Sequence, residues 1–119
     1  MLVFVYGTLK KRGRLHHCLE GGTPKGEATL KGYDMYSVGG IFPGIVPGEG
    51  SVIGELFEIE DRTLQILDRV ECYPELYDRK RLSVISRGRE FVVWVYTYQH
   101  DISKYEQIKG GFWDVCDYL

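Results

Sequence analysis

Asp61-Arg62-Thr63-Leu64-Gln65-Ile66-Leu67-Asp68-Arg69-Val70-Glu71-Cys72 is the clearest helical pattern in this chain. Asp61, or Glu60 before it, supplies a capping carboxylate. Leu64, Ile66, Leu67 and Val70 form an apolar arc. Pro74 ends the helix, because its ring disfavours helical backbone in the residue before it. Most of what surrounds this segment reads as strand. Leu2 to Tyr6 is a short apolar run, the pattern of a strand buried on both faces. Glu27 to Val38 alternates loosely and breaks at Gly32. Ser51 to Ile59 places Val52, Gly54 and Leu56 on one face and Ile53, Glu55, Phe57 and Ile59 on the other. Tyr77 to Ser86 and Phe91 to Tyr98 flank Arg87-Gly88-Arg89 as a hairpin. In its second strand Trp94, Tyr96 and Tyr98 face away from Val93, Val95 and Thr97. One helix among many strands predicts a small α+β domain with a closed or nearly closed sheet.

The connecting segments carry weaker patterns. Arg14 to Glu20 predicts one or two helical turns, stopped by Gly21-Gly22. Gly39 to Gly48 holds so many glycines and prolines that no regular structure is expected along it. The tail from Gln99 to Leu119 is weakly patterned, and Phe112, Trp113, Val115 and Tyr118 are its candidates for return to the core. An exposed Trp113 or Cys116 there would mark a contact surface.

Length and composition narrow the function classes. With 119 residues, 44% apolar and 27% charged, the chain reads as one globular domain spanning 1–119. Fifteen Lys and Arg against 17 Asp and Glu give a net charge of −2, which argues against a general nucleic-acid binder. No apolar run approaches the roughly 20 residues of a membrane span. No signal peptide is visible at Met1 to Tyr6. The three cysteines, Cys18, Cys72 and Cys116, are distant in sequence and odd in number, so a reduced, cytoplasmic protein is expected.

Glu71 is the residue out of place. At about 100° per residue, with Leu64 at zero, Glu71 falls at about 340°, between Leu64 and Leu67, at the edge of the face meant for the core. Asp68 lies on the solvent flank beside it. Burial disfavours a charged carboxylate, and the negative end of the helix acts in the same direction. A glutamate tuned upward is a better proton acceptor near neutral pH. The alternative is a partly buried glutamate paired with Arg79, Arg81 or a tyrosine hydroxyl.

Tyr6-Gly7-Thr8-Leu9 leaves the first strand through a glycine. Such a turn either aims consecutive N–H groups at an anion or a developing oxyanion, or is an ordinary exit with Tyr6 in the core. Lys10, Lys11, Arg12 and Arg14 form a basic run without the spaced glycines of a phosphate loop. It reads as a solvated surface run or as an attractor for an acidic substrate. His16-His17-Cys18 lacks a second ligand cluster, so no metal site is expected.

These segments together resemble the γ-glutamylcyclotransferase-like (AIG2-like) superfamily. Val5-Tyr6-Gly7-Thr8-Leu9-Lys10 is similar to its Y-G-[ST]-L signature. Phe42-Pro43-Gly44-Ile45-Val46-Pro47-Gly48 resembles its glycine–proline segment, and Val52-Ile53-Gly54-Glu55-Leu56-Phe57 the strand that follows. Leu67-Asp68-Arg69-Val70-Glu71, with Tyr77 and Arg79 beyond it, resembles its glutamate-bearing segment, and Trp94-Val95-Tyr96 a late strand. The length and Thr8 are most like the small members of γ-glutamylamine cyclotransferase type. Cys72 replaces the usual glycine after the glutamate, and the tail after Tyr98 matches poorly.

The resemblance implies a small mixed β-barrel with flanking helices and a cavity at one end. It implies Glu71 as catalytic acid/base, Tyr6, Gly7, Thr8 and Leu9 as substrate-binding loop, and Tyr77 as cavity wall. The implied partner is a small-molecule γ-glutamyl amine or γ-glutamyl amino acid, cyclised to 5-oxoproline without metal or cofactor. A non-catalytic small-molecule-binding or regulatory protein using the same cavity is the alternative. No motif speaks to oligomeric state.

Overall fold

The computed structural model describes residues 1–114. Its elements run β1 (Leu2–Val5), a 3₁₀ turn (His16–Leu19), β2 (Thr23–Val38), β3 (Phe42–Glu58), α1 (Asp61–Val70), β4 (Tyr77–Ser86), β5 (Arg89–Tyr98) and β6 (Glu106–Ile108). The strands are ordered β3-β1-β5-β4-β2-β6, and β2 also pairs with β3. That extra pairing closes the first five into a barrel and leaves β6 as an appendage on β2. β1 runs parallel to β5, while the other pairings are antiparallel. The fold is therefore α+β, a small mixed barrel flanked by one α-helix and one 3₁₀ turn.

β1 accounts for the two-sided burial expected of its sequence. Phe4 points into the barrel with Leu30, Met35, Val52 and Val95. Val3 and Val5 point to the other layer, where Phe57, Ile59 and Tyr96 receive Leu64 and Leu67 of α1. Gly54 is required at the crossing, because a Cβ there would stand 2.5 Å from the Val5 carbonyl oxygen and 2.7 Å from Phe4 Cζ. The β4–β5 hairpin turns through Arg87 and Gly88 with φ of 54° and 73°, the pair of positive values that a two-residue turn needs to match strand twist. No helix of the described residues is long and apolar enough to cross a membrane.

Four expectations need correction. Gly39 to Gly48 is not irregular throughout: Phe42 to Pro47 pairs with Val38 to Tyr33 as the first half of β3. Pro43 and Pro47 are four residues apart, so both missing N–H groups face one edge. β1 covers only Glu55 to Glu58 of β3, which leaves the earlier edge without a ladder to disrupt. The break expected at Gly32 is a bulge, opposite Gly48 to Gly50 of β3, and Asp34 Oδ1 accepts the Gly50 N–H at 2.8 Å. Second, Ile66 is exposed, and the buried side of α1 is Leu64 and Leu67. Glu71, between those two angles, therefore belongs to the middle of the inward face rather than its edge. Third, Glu60 stands at the N-cap position without a side-chain capping bond. Fourth, Trp113 is buried in the barrel core and offers no contact surface, while Phe112 is half exposed. Val115, Cys116 and Tyr118 lie outside the described residues.

α1 ends in a two-bond reversal. Tyr73 N–H donates to Asp68 O at 2.9 Å and Cys72 N–H to Arg69 O at 3.2 Å. This is the Schellman pattern, which places Cys72 where glycine is favoured. Cys72 accordingly has φ of 52°, a left-handed conformation that burdens any residue with a Cβ. Cys72→Gly is expected to stabilise the fold by about 0.5–1 kcal/mol, read as a raised urea midpoint at unchanged slope. A lowered midpoint would assign Cys72 a packing role that its exposure does not suggest.

Candidate active site

Between the end of β1, the start of β3, the exit of α1 and the start of β4 lies a cavity of about 270 Å³. Tyr6, Gly7, Thr8, Leu9, Glu71 and Tyr77, the six positions singled out from sequence, all line it. At Gly7 the chain leaving β1 passes directly against the start of β3: a Cβ there would fall 2.6 Å from Pro43 Cγ. The loop that follows is closed by its own carbonyls, Gly7 O accepting the Lys10 N–H at 3.0 Å and Thr8 O the Leu15 N–H at 2.9 Å. The Thr8 and Leu9 N–H groups are not used in closing that loop.

Glu71 enters from the C-cap of α1, held by its own N–H on Leu67 O at 2.9 Å. Among the described residues its carboxylate makes no hydrogen bond or ion pair. The ion pair foreseen as an alternative forms elsewhere. Arg79 Nε donates to Asp68 Oδ1 at 2.8 Å and its Nη2 to Asp68 Oδ2 at 3.0 Å. Arg81 lies against the Trp94 ring. Burial pushes the Glu71 carboxyl up to about 7. Asp68, expected as a second charge beside it, is instead matched by Arg79 and by the Tyr96 hydroxyl, which donates to its Oδ1 at 2.7 Å.

The tyrosine hydroxyls of the cavity are committed. Tyr6 donates to Tyr96 O at 2.7 Å and Tyr77 to Pro43 O at 2.6 Å. Burial first, and neighbouring anionic groups with it, hold Tyr6, Tyr77 and Tyr96 above the ordinary phenol value. They remain protonated at neutral pH and act as struts. Of the groups lining the cavity, that leaves Glu71 to exchange a proton near pH 7.

The basic run does not stay together. Lys10 is buried, its ammonium donating to the Trp113 carbonyl and lying 3.8 Å from the centroid of the Phe112 ring. Lys11, Arg12 and Arg14 are exposed, and Arg14 lines the cavity. Sequence patterning alone also passed over Phe42 and Pro43, because they sit in the glycine-rich stretch, over Leu76, which lies between elements, and over Leu15, which stands just before the short 3₁₀ turn. His16 Nδ1 is 3.0 Å from Leu9 O, bracing the loop from behind.

The raised Glu71 carboxyl makes stability depend on pH. The folded state keeps the proton up to about 7, whereas an ordinary glutamate carboxyl loses it near 4.5. Stability is full below about 4.5, falls as pH rises from there to about 7, and is flat above. Glu71→Gln removes the burden, so the variant is expected to match the parent in Tm at pH 4 and to exceed it at pH 8. The gap should be on the order of 2–4 kcal/mol by chemical denaturation. Equal differences at the two pH values would refute the shift.

A family model described as gamma-glutamyl cyclotransferase, AIG2-like, matches residues 3–115. The gamma-glutamylcyclotransferase family protein YtfP of Escherichia coli K12 is 31% identical over 113 residues, covering 95% of this chain and 96% of that protein. The solution structure of ytfP from Escherichia coli is similar with a TM-score of 0.74 at 32% identity, over 95% of this chain and 96% of that one. The crystal structure of an AIG2-like protein from Mus musculus reaches a TM-score of 0.82 at 26% identity, over 95% and 87% of the two chains. On the family match and on these likenesses, the chain belongs to the γ-glutamylcyclotransferase, AIG2-like family.

Proposed function

We propose that the protein converts a γ-glutamyl compound into 5-oxoproline and a free amine, with Glu71 as the acid/base. The observation that carries this reading is an unpaired carboxylate, poised near pH 7, sharing one cavity with the Gly7-Thr8-Leu9 loop. The α-amine nitrogen of the glutamyl group attacks its own γ-carbonyl carbon. A C–N bond forms in a five-membered ring, and the amide C–N bond to the leaving amine breaks. Both reacting groups belong to one molecule, so folding it into a near-attack pose supplies a large part of the acceleration.

The α-ammonium first gives one proton to solvent to become the free amine, and Glu71, ionised, takes the second as the C–N bond forms. Glu71 then returns it to the departing nitrogen, and the enzyme ends as it began. The transition state places negative charge on the γ-oxygen, and the Thr8 and Leu9 N–H groups are the donors nearest in sequence to the glycine turn. The α-carboxylate is drawn to the same stretch of main chain, Gly7 to Leu9, since the Lys10 and Lys11 N–H groups are spent on Gly7 O and Glu55 Oε1. Phe42, Leu76 and Val70 give the site an apolar wall, and tethering favours attack by the amine of the same molecule over hydrolysis. The reaction conserves all atoms of the substrate and needs no metal or redox partner.

Incubation with γ-glutamyl compounds and chromatography for 5-oxoproline tests the reading. Wild-type protein is expected to release it, with kcat/KM rising with pH through about 7 as Glu71 ionises. Glu71→Gln is expected to fold and to lose turnover by roughly 100-fold or more. Tight binding of these compounds without ring closure would return the cavity to a binding role.

A further inference from the structure

We propose that Arg14 selects the leaving group, pairing with a carboxylate on the departing amine so that γ-glutamyl amino acids are preferred over neutral or cationic γ-glutamyl amines. This rests on the cyclotransferase reading and adds to it the chemistry at the cavity mouth. Arg14 and Glu71 are the two charged residues among those lining the cavity. Arg14 is exposed, whereas Tyr6, Thr8 and Leu9 are buried, so Arg14 belongs to the open side of the cavity. Among the described residues it makes no ion pair or hydrogen bond.

Its root is fixed. Gly13 N–H donates to Lys10 O at 2.7 Å, and a Cβ on Gly13 would fall 2.2 Å from Thr8 O. Leu15 N–H donates to that same Thr8 carbonyl at 2.9 Å. Arg14 thus projects from between two residues clamped to the proposed binding loop.

The charges of the substrate make the assignment. A γ-glutamyl group brings one ammonium and one α-carboxylate. Glu71 meets the amine, and the loop N–H groups take the α-carboxylate. A neutral leaving group leaves Arg14 without a counter-charge. A diamine would set an ammonium beside the guanidinium, a like-charge contact that rejects it. A second carboxylate, carried on the leaving amine, meets a planar guanidinium suited to two parallel hydrogen bonds.

The test compares γ-glutamyl-alanine with γ-glutamyl-alanine amide and γ-glutamyl-ethylamine. For wild-type protein the kcat/KM ratio of acid to amide is expected to be about fivefold to tenfold, the range of a partly exposed charge-assisted pair. Arg14→Ala should bring that ratio to one, Arg14→Lys should restore part of it, and about 0.5 M salt should shrink it in the parent. A ratio left unchanged by Arg14→Ala overturns the proposal. That is also the outcome if Arg14 holds the α-carboxylate, because all three compounds then weaken together. If none of the three yields 5-oxoproline, the cyclotransferase reading fails by itself. Equilibrium binding of the same compounds to parent and Arg14→Ala then decides: tighter binding of the acid, lost in the variant, supports the role of Arg14, and equal binding of acid and amide ends it.

Discussion

The forked contact of Arg79 with Asp68 is the interaction on which the site depends. It joins the last turn of α1 to β4, and the Tyr96 hydroxyl joins the same carboxylate to β5. Arg79 also lies 4.4 Å from the Trp94 ring centroid and 4.8 Å from that of Tyr73, so aromatic faces as well as oxygens hold it. Hydrogen bonds to charged groups contribute about 1.5–3 kcal/mol each, enough to decide which carboxylate a guanidinium takes. Asp68 and Glu71 lie three residues apart on one helix. Because Asp68 holds the cation in a bidentate fork, Glu71 is left unmatched in a confined space, and burial alone raises its affinity for a proton. The tyrosine layer works alongside this pair. Its hydroxyls are spent on main-chain and aspartate oxygens, so they hold the walls without competing for the proton.

The barrel was legible where period and turn chemistry agreed. Alternation in Ser51 to Ile59 and in β5, the two-sided run of β1 and the Arg87-Gly88 turn all lie where the residues place them. Phe42 to Pro47 was not legible, because proline and glycine penalties are local whereas the pairing partner, β2, lies on the other side of the turn through Gly39 and Gly40. β6 is three residues long and pairs with the far half of β2, which leaves no periodic trace. Lys10 shows the limit of reading charge from a run. Four basic residues in five look solvated, yet one folds inward because the tail supplies a carbonyl and a ring for it.

For the site, residue chemistry alone marked Glu71 as anomalous and the exit of β1 as a possible donor loop, and the family resemblance added Tyr77. All these positions meet at one cavity. That Arg79 takes Asp68 was out of reach of the sequence, which offered Arg79, Arg81 or a tyrosine hydroxyl as partners for Glu71 instead. Geometry chose among them through strand register: Arg79 pairs with Tyr96 across β4 and β5, which brings both to one aspartate. Ile66 was misjudged for a related reason. Hydrophobicity was read as the guide to the inward face, when the inward face of α1 includes its glutamate.

The parallel seam between β1 and β5 has a consequence for assembly. Residues 3 and 4 pair with 94 and 95, while residues 2 to 5 pair with 58 to 55 on the other side. The edge of β1 on β3 needs residues up to 58, whereas its edge on β5 needs residues up to 95. Contacts of such wide sequence separation slow the search for the native topology. The long β2–β3 hairpin is local, can form early and offers β1 its first edge, so the cavity wall that Tyr77 and Tyr96 supply is completed only when the β4–β5 hairpin docks on the other edge.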